Sequence, residues 1–141
     1  MAAFGNNPRK ARDIPAFTAS ATDTKAMANG EIVKFSNVWT NNMNCYNPST
    51  GVFTVPKTGL YQISATVMSS HNKALLVDLW QNENRLVALY AKTGYNDATA
   101  NTVLNLKKND RIYLKVRGGS FGINSSKEHP YSMFSGYLIS E

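Results

Sequence analysis

The run FSNVWTNNMNCYNPSTGVFTVPKTGLYQISATV, Phe35 to Val67, carries the clearest pattern in the chain. From Tyr61 onward, Tyr61, Ile63, Ala65 and Val67 alternate with Gln62, Ser64 and Thr66. A period of two puts one set on a buried face and the other on a wet face of a strand. Two turn clusters come before it: Asn47-Pro48-Ser49-Thr50-Gly51, then Lys57-Thr58-Gly59. Between them a short strand ends at Val55-Pro56. Strand, turn, strand at this spacing is the rhythm of an all-β sandwich.

Composition agrees with that reading. The 141 residues fit one domain with a real core, with 43% hydrophobic and 17% charged side chains. No apolar run approaches the ~20 residues of a membrane helix. Met1 to Ile14 has no apolar core of the kind a secretory leader needs, so either a leader has been removed or export uses another route. Cys45 is the single cysteine, which excludes a disulfide within the chain and reads as a small buried core residue. The net charge of +6 favours anionic partners. Lipid surfaces, nucleic acid, sulfated glycan and lipopolysaccharide would all respond to it.

Phe35, Asn41, Tyr46, Phe53, Gly59 and Tyr61 fall at the intervals of a known signature, and Phe134-Ser135-Gly136-Tyr137-Leu138 matches its closing strand. On these residues the chain resembles the C1q globular domain of the C1q and tumour-necrosis-factor superfamily over about residues 15 to 141. It departs from the signature at Ile63 and Ala65, where the family has aromatics, and Ala65 leaves volume for a neighbour to fill. The resemblance implies a jelly-roll β-sandwich assembling as a compact homotrimer.

Residues 1 to 14 read as a flexible arm with the basic cluster Arg9-Lys10-Ala11-Arg12, and residues 15 to 141 as the globular domain. There are no Gly-X-Y repeats of a collagen stalk. Ile14 to Thr22 resembles the family's opening strand. Lys73 to Trp80 and Arg85 to Tyr90 read as strands joined by the turn Gln81 to Asn84. Thr93 to Ala100 reads as a polar loop, and Asn101 to Leu106 with Arg111 to Val116 as a hairpin across Lys107 to Asp110. Arg117 to Pro130 reads as a long surface loop before a last strand, Tyr131 to Ile139. No helix longer than a turn is expected.

The last strand is apolar on both parities: Phe134 and Leu138 on one, Tyr131, Met133, Tyr137 and Ile139 on the other. A half-exposed sheet should be polar on one side, so this second apolar face needs a cover. The resemblance names the cover as two further copies of the chain, with Met133, Tyr137 and Ile139 at the trimer interface.

No catalytic pattern emerges. His71 and His129 stand outside metal-ligand spacings, and there is no Gly-x-Ser-x-Gly elbow or phosphate-binding glycine loop. The chain reads as a non-enzyme that needs no cofactor. Asn96 and Asp97 lie where the resemblance places calcium in some family members, although one carboxylate per chain is few for that ion. Arg111, Lys115 and Arg117 share a parity of their strand with Tyr113 and form a basic face suited to phosphate or sulfate. The loops Ser69 to Lys73, Thr93 to Ala100 and Gly118 to Pro130 offer Tyr95, Phe121 and Tyr131 for stacking on sugars. Asn124-Ser125-Ser126 is an N-glycosylation triplet.

Stalkless single-domain chains of this type resemble molluscan C1q-domain lectins. The resemblance implies a secreted, extracellular pattern-recognition protein of innate immunity that binds microbial polysaccharide or lipopolysaccharide. Nucleic acid and membrane span are not expected. A cytokine-like trimeric ligand for a cell-surface receptor and a structural matrix protein are the alternatives.

Overall fold

A computed structural model describes residues 10–118 and 121–141. Two antiparallel five-stranded sheets face one another as a jelly-roll sandwich. The first has the order β3-β1-β12-β6-β9. It is built from β1 (Ala16–Ser20), β3 (Asn37–Asn42), β6 (Gly59–Met68), β9 (Asp97–Leu106) and β12 (Met133–Ser140). The second has the order β4-β5-β10-β7-β8. Its members are β4 (Tyr46–Asn47), β5 (Val52–Thr54), β7 (Leu75–Gln81), β8 (Asn84–Ala91) and β10 (Arg111–Val116). Two short strands, β2 (Lys25–Met27) and β11 (Phe121–Ile123), pair with each other at the side. The only helix among the described residues is a 3-10 turn at Ala11–Asp13, as the sequence led us to expect.

The signature residues form the centre of the core. Phe17 of β1 stacks on Tyr46 with centroids 5.0 Å apart and on Phe53 at 4.8 Å, while Phe134 meets it edge-on at 4.9 Å. Each such aromatic pair adds roughly 0.5–1.5 kcal/mol beyond its area burial. The polar ends of these aromatics are satisfied. Tyr46 Oη accepts the Phe35 N–H at 2.9 Å, and Tyr61 Oη donates to the Lys57 carbonyl at 2.6 Å. Asn41 closes the β3–β4 turn with both ends of its amide: Nδ2 donates to the Tyr46 carbonyl and Oδ1 accepts from Tyr46 N–H. Ala65 faces Phe134 directly across the β6–β12 ladder, and Phe134 is the large neighbour that packs there against Phe35. Gly59 has a steric reason for being glycine, since a Cβ would lie 2.6 Å from the Ser140 carbonyl oxygen.

Several expectations change. β9 and β10 are not a hairpin: β9 pairs with β6 in one sheet, and β10 pairs with β5 and β7 in the other. The turn between them carries the chain across the sandwich. Asp110 fixes it by accepting from Lys107 N–H at 2.8 Å and from the Asn82 and Gln81 side chains. Asp97 to Ala100 is strand rather than loop, because the ten-residue β6 offers partners as far as Met68. The turn after β7 is only Asn82-Glu83, since Gln81 and Asn84 already pair. The stretch from Arg117 to Pro130 contains β11. Of the expected arm, residues 1–9 lie outside the described residues. Residues 11–14 are built onto the domain, with the Ala11 carbonyl accepting from Asn42 Nδ2 and Ile14 packed against the core.

Candidate ligand-binding surfaces

Loops from both sheets converge at one end of the sandwich around Ser69, which is fully buried. Its hydroxyl donates to the Lys92 carbonyl and accepts from Asn96 N–H. The Ser70 carbonyl accepts from Gly94 N–H, and Ser70 N–H donates to the Gly122 carbonyl. Ser132 Oγ joins Met68 N–H to the Asn124 carbonyl. These bonds bring the expected contact loops together on a rigid base. Tyr95, in the left-handed region with φ 63°, is 54% exposed and lies 5.7 Å from the His71 ring. Tyr131 is 47% exposed. Phe121 differs from both: it is half-buried against the core, with its ring over Gly118.

Asn124 points inward. Its Nδ2 donates to Met68 Sδ, its Oδ1 accepts from Thr24 Oγ1, and Ser125 beside it is buried. Asp97 is exposed at the start of β9, and Asn96 Nδ2 turns back to the Thr93 carbonyl. Among the described residues no group of three or more His, Cys, Asp or Glu side chains comes together to hold a metal. Asp97 is the single carboxylate that the Asn96-Asp97 pair offers per chain.

The basic face of β10 is more structured than its parity implied. Arg111 is neutralised by Glu83 at 3.1 Å on the surface. Tyr113 is 7% exposed rather than free, and its hydroxyl donates to the Asn82 carbonyl. Burial pushes its pKa up. Its ring lies parallel to that of Trp80, the residue opposite it on β7. Lys115 Nζ sits 4.2 Å above the Trp80 centroid, and the Arg85 guanidinium lies 5.4 Å from it. Arg117 grips Asp78 with two hydrogen bonds of 2.9 Å, and Arg85 Nε reaches the same carboxylate at 3.2 Å. Asp78 is 1% exposed. Sequence reasoning missed Asp78, Trp80 and Arg85. The available signal was one carboxylate inside Leu75-Leu76-Val77-Asp78-Leu79, a strand otherwise apolar.

On the outer face of the first sheet, Tyr137 and Ile139 are 49% and 46% exposed, and Val103 is 55% exposed. Gln62 of β6 separates Tyr137 from Val103, and the small Ala16 of β1 lies on Tyr137's other side. Met133 on the same face is half-buried. A second apolar patch, Leu86, Val87 and Tyr90, is exposed on β8, an edge strand of the other sheet.

No helix among the described residues is long and apolar enough to cross a membrane. The pattern that defines the C1q domain matches residues 16–139. One of the polypeptides of the complement C1q subcomponent of Mus musculus is 34% identical over 128 residues, covering 87% of this chain and 49% of that protein. The chain thus spans about half the length of this curated relative. The globular domain of zebrafish complement 1qA superposes with a TM-score of 0.73 at 20% identity, covering 90% of this chain and 98% of that one. Eiger TNF from S. frugiperda gives 0.73 at 12% identity, covering 91% and 94%. Murine APRIL gives 0.68 at 11%, covering 90% and 100%. These structures share the jelly roll, and the sequence match extends over nearly the whole domain: the chain belongs to the C1q domain family.

Proposed function

We propose that this chain is a non-enzymatic extracellular recognition module that binds microbial polysaccharide or lipopolysaccharide as a homotrimer. The observation that carries the reading is the end surface: loops from both sheets are tied together through buried Ser69 and leave Tyr95 and Tyr131 exposed. Exposed aromatics on a fixed base stack on sugar rings at little entropic cost. The trimer is supported by two unlike apolar patches on one chain, the Tyr137–Val103 face and the β8 edge. Unlike patches join head to tail, and head-to-tail contacts that close make a ring. A ring presents several weak sites at once, and avidity then raises affinity by ~10²–10⁴.

The test is a glycan array followed by titration against mannan and lipopolysaccharide at low and high ionic strength. Stacking on the end loops predicts binding that survives high salt and is lost in the double variant Tyr95→Ala, Tyr131→Ala while the oligomer persists. Binding to neither glycan, together with capture of a cell-surface receptor, would replace this reading with the cytokine-like one.

A further inference from the structure

Beside β7 and β10, under the turn at Asn29, lies a pocket of about 310 Å³ lined by Asn29, Asp78, Trp80, Arg85, Lys115 and Arg117. Three cations there face one carboxylate, an excess of two positive charges. A single arginine gripping Asp78 with both donors already matches that charge, as Arg117 does. Arg85 and Lys115 are therefore in surplus, and Lys115 has no acidic partner among the described residues.

The free donors are numerous and held in place. A guanidinium carries five N–H donors. Arg117 spends two on Asp78 and Arg85 spends one, while both side chains remain nearly half exposed, at 44% and 49%. The buried carboxylate orients the two forks, and the Trp80 ring seats Lys115 above it. Side chains fixed in advance lose little rotamer entropy when a ligand arrives. Forked N–H donors match the oxygens of sulfate and carboxylate. With Lys115 and Arg85 held against Trp80, the indole is poorly placed to stack a neutral sugar. The volume is that of a small-ligand site, not of a groove for a duplex. Further down the strand, Arg111 is cancelled by Glu83, so no continuous basic track leads away.

We propose that this pocket binds the sulfate or carboxylate group of an acidic saccharide, which gives the molecule a charge-selective flank site separate from the end loops. The proposal rests on the carbohydrate-binding reading for its ligand class, but its residues and its readout are its own. The chain has two tryptophans, Trp39 and Trp80, and Trp39 is 53% exposed on the other sheet. Trp39→Phe leaves Trp80 as the sole fluorophore beside the pocket. Galactose 6-sulfate and galacturonic acid are then titrated in turn, with galactose and inorganic sulfate as controls.

The expected result is a saturable change in Trp80 emission with an acidic sugar and none with galactose. Lys115→Gln and Arg85→Gln each weaken binding about tenfold, the loss of one charge-assisted contact at 1.4 kcal/mol per decade. Arg111→Gln leaves it within about twofold. If Trp39→Phe misfolds, the indole N–H resonance of Trp80 in the unsubstituted chain reports the same titration. A silent Trp80 overturns the assignment, as does an Arg111→Gln loss equal to that of Lys115→Gln. Inorganic sulfate binding as tightly as the sulfated sugar removes the saccharide from it. Absence of mannan binding by the unsubstituted chain, with this site intact, would count against the end-loop reading alone.

Discussion

Asp78 is a carboxylate almost wholly out of water, held by two arginines that remain half in it. Removing the charge leaves both guanidiniums without their counter-ion, and an amide in its place keeps one acceptor oxygen and turns an N–H toward the arginines. Asp78→Asn should therefore destabilise the fold by ~1–3 kcal/mol, less than a fully buried pair would lose because the partners are solvated. The midpoint of urea unfolding measures it. Cys45 and Tyr46 give a second residue-scale test. Burial pushes the Cys45 thiol up to about 11 and the Tyr46 hydroxyl up to about 12. The folded state holds these protons more tightly than the unfolded chain does. Stability is therefore complete below the unfolded pKa values and falls as pH rises through about 9 to 12. Calorimetry across that range should show a falling melting temperature, and a thiol reagent at neutral pH should reach Cys45 only after unfolding. Asn124 gives a third. With its amide nitrogen turned toward Met68, the protein made in a secretory host should show no mass change on enzymatic deglycosylation.

At the scale of elements, what could be read from sequence follows from where each strand's information lies. β6 was legible because from Leu60 to Met68 its residues alternate half-buried and buried without a break. β10 was legible because Ile112, Leu114 and Val116 alternate with Arg111, Tyr113 and Lys115, and its basic face could be read from that parity. The pocket beside it could not: that depends on Trp80 and Asp78 of β7, which only pairing brings beside Tyr113 and Lys115. The separation of β9 from β10 was hidden because a turn of Lys, Asn and Asp has the same composition whether it closes a hairpin or crosses a sandwich. β2 and β11, with three residues each, are too short to show a period. Tyr95 and Tyr131 were legible as loop aromatics. Phe121 was not distinguishable from them until its place against Gly118 was known. The close approach at Gly59 yields a prediction of its own. Gly59→Ala should cost about 1–3 kcal/mol by forcing β6 away from the Ser140 carbonyl, as overpacking of tight sites does. The melting temperature against the parent chain checks it.

For the whole molecule, the exposed Tyr137 and Ile139 make a quantitative claim. Light scattering at micromolar concentration should give three times the 15.5 kDa of one chain. Tyr137→Glu should bring that mass down to a single chain, because a charge in the covered face would go unpaired at a cost of several kcal/mol. A single-chain mass for the parent would count against the ring. The register of β1 against β12 settles a separate matter. Ala16 lies opposite Tyr137 while Ser20 lies opposite Met133, so the first strand enters and the last strand leaves at the same pole. The loops around Ser69 occupy the other pole, beyond Met68 and Met133. The chain therefore enters the sandwich at Ala16 and leaves it at Ser140 on the side facing away from Tyr95 and Tyr131. A chain anchored by its start or by its finish would present the same surface outward.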